Sequence, residues 1–120
     1  MQNETYTLYG AEISYFSGKV RAYLRWKRLP YAEVRATAEV YRDVIIPRVG
    51  FPVIPVLVCP DGETLQDSSE IIDTLELRHA GTSIYPSTAA QRLTSALFEL
   101  YADEWLLIPA MHYRWHHNRE

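Results

Sequence analysis

The sequence has 120 residues, of which 48% are hydrophobic and 22% charged, with a formal net charge of -3 at pH 7 and one cysteine, Cys59. This composition predicts one compact globular core and excludes a disordered chain, a basic nucleic-acid-binding surface and any internal disulfide or CxxC pair. Because no apolar run approaches the about 20 residues that cross a bilayer, and no signal peptide is evident, we expect no membrane partner and a cytoplasmic location.

The first elements in chain order predict a parallel βαβ unit. Residues 5–9 alternate as a short strand does, and Val20 and Leu24 fall at helical spacing in the segment that follows. Pro30 ends this helix, and residues 31–35 predict a second strand. Because a full helix separates the two strands, a tight hairpin is excluded and a right-handed parallel crossover is favoured.

A short helix and a β-hairpin are predicted next. Residues 38–45 favour the helix. Residues 53–58 form an apolar run, the Pro-Asp-Gly sequence at 60–62 is a strong turn signal, and residues 64–66 are expected to return as a strand. Pro55 interrupts the apolar run, and because proline cannot donate to a strand ladder, it indicates either an edge position or a functional one.

Two helices complete the pattern. Asp67 or Ser68 is expected to cap a helix that ends near Arg78. After a polar connector, Thr88 is expected to cap a long helix, which Pro109 should kink or interrupt. The predicted order is therefore βαβαββα followed by one long helix.

Three local motifs give this order of elements a family resemblance. They are SYFS at residues 14–17, VIPVL at residues 53–57 and QDSSEI at residues 66–71. In this order and spacing they resemble the N-terminal domain of the glutathione transferases. The resemblance implies an α/β, thioredoxin-like βαβαββα domain with a mixed four-stranded sheet at residues 1–80. It also implies that residues 87–120 form one long helix, the start of a truncated all-helical domain.

The same resemblance assigns a glutathione site to these motifs. It implies that the bond between Ile54 and Pro55 is cis, and that the Ile54 backbone pairs with the cysteinyl part of glutathione as an added strand would. It also implies that Asp67 and Ser68 hold the γ-glutamyl group at a helix N-terminus, where backbone N–H groups suit a carboxylate. Helix capping alone also explains Asp67 and Ser68, and an edge strand also explains Pro55.

Chemistry at the glutathione sulfur needs a group that stabilises a thiolate. A serine hydroxyl at a helix N-terminus can donate to the sulfur, while the helix dipole favours the negative charge. The resemblance places Ser14 in this catalytic position, with Ser17 as the second candidate, and either serine also suits a simple cap of the first helix. Because Ser14 and Ser17 stand where a glutaredoxin would place its two cysteines, disulfide exchange by a CxxC pair is excluded.

The glycyl carboxylate of glutathione is the part whose partner is hardest to assign. Members of the family often carry a lysine shortly before the cis proline or a basic residue on the second helix, and Val53 fills the first of these positions here. Arg48 or Lys19 is expected to substitute. The alternative for either residue is a solvated surface charge.

The predicted function is conjugation of glutathione, as co-substrate, to a small electrophile, in a chain that could form a homodimer. The alternative is a non-catalytic glutathione-binding or protein-interaction module on the same fold. No metal site is predicted, because His112 and His116 have the i, i+4 spacing of helical ligands but no third ligand nearby.

Overall fold

The computed structural model describes residues 5–116. The chain separates into two compact units, with the boundary between His79 and Ala80. The first unit contains strands and helices, and the second contains helices and the connector that precedes them. The domain limits predicted from the sequence, 1–80 and 87–120, extend over residues 1–4 and 117–120, which lie outside the described residues.

The first unit is built on a four-stranded mixed sheet with the strand order β2-β1-β3-β4. The strands are β1 (Tyr6–Gly10), β2 (Tyr31–Arg35), β3 (Val56–Val58) and β4 (Thr64–Gln66). β1 pairs parallel with β2 and antiparallel with β3, and β3 pairs antiparallel with β4. The parallel crossover and the hairpin are confirmed, and so is the mixed four-stranded α/β architecture.

Two helices supply most of the core beside the sheet. They are α1 (Tyr15–Trp26) and α4 (Ser68–Arg78), which pack against each other. Both keep apolar residues at helical spacing on the face that meets the strands, so burial rather than intrinsic propensity stabilises them. The core cluster consists of Tyr6, Leu8, Val20, Tyr23, Leu24, Leu57, Cys59, Leu65, Ile71, Ile72 and Leu75.

The helical segment after β2 is longer than the sequence predicted. It comprises α2 (Ala38–Val40), a π-helical segment (Tyr41–Ile45) and α3 (Ile46–Val49), so it passes through Pro47 instead of ending at Ile45. The N–H of Ile46 donates to the carbonyl of Tyr41, five residues back. This wider turn contains the residue four positions before the proline, where the ring would otherwise crowd a regular helix.

The helical segments of the second unit lie between residues 89 and 115, with a turn at Leu106. It contains α5 (Ala89–Leu100), a π-helical segment (Tyr101–Trp105) and α6 (Leu107–Trp115). Thr88 caps α5 as predicted, since its Oγ1 accepts from the N–H of Gln91 at 3.3 Å.

The effect of Pro109 falls upstream of the proline itself. Pro109 is the third residue of α6, and the regular helix is interrupted at Leu106 and in the π-helical segment before it. The residue four positions before Pro109 lies in that segment, so this interruption has the same physical cause as the one before Pro47. Within residues 5–116, no helix is both long and apolar enough to cross a membrane.

Candidate functional site

The register of the sheet brings three segments to one end of the first unit. Tyr9 lies opposite Val56, and Val56 lies opposite Gln66. Because β3 runs antiparallel to both neighbours, its amino end meets the carboxyl ends of β1 and β4. The loop after β1, the residue pair before β3 and the start of α4 therefore lie together. The first two of these segments are about 40 residues apart in the sequence.

Ser14 is the N-cap of α1 at this end of the sheet. Its backbone is extended, with φ -72° and ψ 128°, and its Oγ accepts from the N–H of Ser17 at 3.3 Å. Ser14 is half-buried, and α1 has no acidic side chain in its first turn. The positive end of the helix dipole is therefore not neutralised by a carboxylate of its own first turn, and the Ser14 hydroxyl keeps its proton for another acceptor.

Ser17 occupies a different environment. It is fully buried, and its Oγ accepts from the N–H of Ala11 at 3.3 Å. A Cβ placed on Gly10 would lie 2.7 Å from the same Oγ, so Gly10 leaves the space that this serine fills. Because Ser17 has no exposed surface, we assign it to packing between α1 and β1 and not to contact with a ligand.

The loop after β1 is held by a contact that the sequence did not reveal. Arg21 Nη2 donates to the carbonyl of Ala11 at 3.2 Å, while Arg21 Nε donates to Glu33 Oε2 at 2.7 Å. The hydrogen bond from Arg21 lowers the pKa of the Glu33 carboxyl below its ordinary value of 4.5. The i, i+12 spacing of Arg21 and Glu33 carries no sequence signal, because their contact depends on how α1 lies over β2.

Ile54 and Pro55 precede β3 at the same end of the sheet. The peptide bond between them is cis, Pro55 is buried, and Ile54 is half-buried. Within residues 5–116, neither the N–H nor the C=O of Ile54 has a backbone hydrogen-bond partner. These two groups could therefore pair with an extended peptide.

Asp67 caps α4, and Ser68 is the first residue of that helix. Asp67 Oδ1 accepts from the N–H groups of Ser69 at 2.9 Å and Glu70 at 3.2 Å. Asp67 has a φ of 74°, which for a residue other than glycine costs on the order of 1–3 kcal/mol. Ser68 is 5% exposed. This start of a helix offers backbone donors and a serine hydroxyl beside a carboxylate, which together suit an amino-acid head group.

The structure separates the two cations that the sequence proposed for the glycyl carboxylate. Arg48 is exposed, and its Nη1 donates to Thr64 Oγ1 at 3.0 Å, at the turn end of the β3–β4 hairpin. Ile54 is at the opposite end of β3, so the structure does not bring Arg48 to it. Lys19 Nζ donates to Ser69 Oγ at 2.9 Å and so lies at the start of α4.

One group of three potential metal ligands occurs within residues 5–116, namely Cys59, Asp61 and Glu63. Arg78 donates to Cys59 Sγ at 3.5 Å and forms an ion pair with Glu63, so a guanidinium already fills this position. Burial raises the pKa of the Cys59 thiol, which favours the neutral form over the thiolate that metals bind.

The two histidines at helical spacing form a ring contact. His112 and His116 stack with centroids 4.7 Å apart. No third ligand joins them in the part of the chain that the structure describes.

More than half of the sequence matches a known protein family. Residues 8–83 match the family model described as glutathione S-transferase, N-terminal domain. No curated protein matches the sequence significantly.

Solved structures resemble the chain over most of its length. A glutathione S-transferase from Methylobacterium radiotolerans JCM 2831, in complex with glutathione sulfonate, is 28% identical with a TM-score of 0.74, over 82% of this chain and 47% of that one. One from Rhodospirillum rubrum F11 is 28% identical with a TM-score of 0.75, over 82% and 45%. One from Methylobacillus flagellatus KT with glutathione bound is 26% identical with a TM-score of 0.70, over 82% and 48%. The chain thus spans about half the length of these relatives.

Proposed function

Because this chain belongs to the glutathione S-transferase family, whose N-terminal domain it carries at residues 8–83, we propose that it binds glutathione and activates the thiol for conjugation to an electrophile. Residues 1–80 would supply the glutathione site, and residues 87–120 would begin a helical domain. Relatives that hold glutathione or glutathione sulfonate support glutathione as the co-substrate. The sequence predicts the cytoplasm as the compartment.

One observation carries the proposal. The starts of α1 and α4 and the unpaired backbone of Ile54 all lie at the same end of the sheet. A tripeptide laid across this end would pass from a helix N-terminus, over an open strand end, to a second helix N-terminus. Each of these three features suits a different functional group of glutathione.

We assign the parts of glutathione as follows. The Ile54 N–H and C=O pair with the cysteinyl residue, next to Pro55. The Ser68 hydroxyl and the first N–H groups of α4 bind the γ-glutamyl carboxylate. Asp67 Oδ1 is engaged in the helix cap, so its Oδ2 is left to accept from the γ-glutamyl ammonium.

In this proposal Ser14 acts on the sulfur. The hydroxyl donates a hydrogen bond to the thiolate, and the α1 dipole favours the same charge, so the thiol loses its proton to solvent at a lower pH. The thiolate then attacks the electrophile, its electron pair forms the new C–S bond, and the displaced group leaves with its own bonding pair. Ser17 has no part in this step because it is buried.

Measurement of the glutathione thiol pKa tests the proposal. Titration of the bound thiolate by its ultraviolet absorbance should give a pKa below that of free glutathione, and Ser14→Ala should return it toward the free value. Conjugation to a chromogenic electrophile should fall in parallel. If glutathione binds with an unshifted pKa, or if Ser14→Ala conjugates as fast as the wild type, Ser14 has no role in the chemistry.

A non-catalytic module is the second candidate, and one observation favours it. Arg48 lies at the turn end of the hairpin, away from Ile54, and Lys19 contacts Ser69 at the start of α4, where we place the γ-glutamyl group. The glycyl carboxylate therefore has no assigned cation. Such a module would bind glutathione weakly and leave its thiol pKa unchanged. Calorimetric binding without conjugation, in a chain whose fold is intact by circular dichroism, would select this candidate.

Homodimer formation is part of the proposal for the second unit. Three leucines at helical spacing along α5 are each more than half exposed, namely Leu93, Leu97 and Leu100. Exposed apolar surface of this kind drives association. Sedimentation equilibrium over a range of concentrations should show a dimer, and a monomer at every concentration would contradict this part of the proposal.

A further inference from the structure

A second cavity lies beside α1, outside the proposed glutathione site. It has a volume of about 750 Å³. It is bounded by Arg21 and Arg25 of α1, Glu33 and Arg35 of β2, Gly10 at the end of β1, loop residues 11–13 and Ala36. We call it the β2 cleft. None of the residues assigned above to glutathione lines it. Its volume falls within the range of about 300–1,000 Å³ that is typical of small-molecule sites.

Polar pairs join α1 to β2 beside this cleft. Arg25 Nε donates to the hydroxyl of Tyr31 at 3.0 Å, and Arg21 forms an ion pair with Glu33 at 2.5 Å. The pairing shows that α1 and β2 run in opposite directions, since the α1 numbers fall as the β2 numbers rise. The next strand residue on the same face is Arg35, because side chains alternate along a strand.

The helix offers no side chain to Arg35. On the α1 face that carries Arg25 and Arg21, the next positions are Ser17 and Gly18, since residues three and four apart share a face. Ser17 is fully buried, with its Oγ at the N–H of Ala11, so Gly18 is the remaining position. A Cβ placed on Gly18 would have only Arg21 Nη1 within 4 Å, at 3.9 Å. The third pair of the series therefore lacks its α1 partner, and we call the place beside Arg35 that this partner would fill the open position.

Both guanidinium groups beside this space have donors to offer. Within residues 5–116, the exposed side chain of Arg35 makes no hydrogen bond or ion pair, and Arg21 Nη1 makes none either. The cleft holds three arginines against two carboxylates, Glu12 and Glu33, and Glu33 is already paired with Arg21. Apart from that pair, two arginines face one carboxylate, so the excess charge of the cleft is positive.

We propose that the β2 cleft binds a small ligand that carries a carboxylate, whose oxygens take the open position and accept from Arg35 and from Arg21 Nη1. A planar guanidinium matches a carboxylate in two-point geometry and binds it more strongly than a neutral partner. Ile13, which is 65% exposed at the rim, gives apolar contact for the body of the ligand. The proposal does not depend on glutathione binding, because the two sites share no assigned residue.

Calorimetric titration of the whole chain with benzoate, and separately with the neutral amide benzamide, tests the proposal. Benzoate should bind and benzamide should bind at least about tenfold more weakly, because a charged hydrogen-bond partner is lost. Arg35→Gln should weaken benzoate binding by a similar factor. Arg28→Gln makes the same charge change outside the cleft and should bind benzoate as the wild type does. Glutathione titrations of both variants should be unchanged.

Two substitutions at Gly18 give an independent test. Gly18→Glu supplies a carboxylate from α1 to the open position and should abolish benzoate binding while raising the melting temperature. Gly18→Ala adds a methyl group with room to spare and should still bind benzoate. The proposal is overturned if benzoate does not bind the wild type, if benzamide binds equally well, or if Arg35→Gln or Gly18→Glu binds benzoate as tightly as the wild type.

Discussion

The two roles of Ser14 separate in a comparison of Ser14→Ala with Ser14→Gly. Ser14 caps α1 and, in our proposal, also donates to the glutathione thiolate. Alanine removes the cap and the donor, whereas glycine removes the donor but is itself an acceptable N-cap residue. A difference between the two variants therefore measures the effect of the helix cap. A change that both variants show relative to the wild type measures the effect of losing the hydroxyl.

The structure sets the expected magnitudes. The capping hydrogen bond from the Ser17 N–H to Ser14 Oγ is 3.3 Å, beyond the usual 2.7–3.2 Å. We therefore expect Ser14→Ala to lower the free energy of unfolding by about 0.5 kcal/mol, the low end for a lost cap, and Ser14→Gly by only a few tenths. A hydrogen bond to a charged acceptor contributes about 1.5–3 kcal/mol, so both variants should raise the pKa of bound glutathione by about 1–2 units.

Two assays on the same preparations check these values. Urea unfolding gives the change in stability, and thiolate absorbance against pH gives the pKa of bound glutathione. Equal pKa values in the two variants, both above the wild-type value, would support a direct donor. A pKa that rises in Ser14→Ala but stays at the wild-type value in Ser14→Gly would refute the reasoning, because the effect would then follow the helix cap.

Three further predictions concern the structure around the site. Gly10→Ala places a Cβ 2.7 Å from Ser17 Oγ, so urea unfolding should show a free energy of unfolding lower by about 1–3 kcal/mol, the usual cost of overpacking. Combining Gly10→Ala with Ser17→Ala should recover part of this loss. Additive losses from the two substitutions would contradict this contact. Arg21 lowers the folded-state pKa of Glu33 below 4.5, so the ion pair contributes stability above pH 4.5 that is lost as the pH falls through the folded pKa. Over that pH interval the melting temperature of Glu33→Gln should fall less than that of the wild type. Parallel plots of melting temperature against pH for the two proteins would contradict this prediction. Cys59 is buried and its thiol pKa is raised, so a chromogenic disulfide reagent at neutral pH should react with it slowly in the native state and fast in urea, and equal rates would show that the thiol is accessible.

Local chemistry explains which parts of the fold could be predicted from the sequence. The turn at 60–62, the Thr88 cap and the ends of β2 depend on residues close together in the chain, and the structure confirms them. The extension of the helix through Pro47 was not predicted, because a π-helical turn has no clear residue preference that marks it.

The site divides in the same way. Asp67 as an N-cap could be predicted from its position before an apolar helix, since capping is local. The burial of Ser17, the contact between Lys19 and Ser69, and the position of Arg48 over the hairpin turn could not. Each depends on which face of one element packs against another. The sequence around a buried or structural side chain does not differ from that around a ligand-binding one.

Because three segments that are distant in the sequence form the site at one end of the sheet, the site depends on the folded sheet and cannot be reproduced by a short peptide. A peptide that reproduces any one motif lacks the partners that the antiparallel β3 supplies, so it has no reason to recognise the tripeptide. Loss of β3 pairing would separate all three segments at once. Recognition at this end of the molecule is therefore all-or-none with folding, and a molecule that bridges the segments must stabilise the native chain by an amount that rises with the logarithm of its free concentration divided by its Kd.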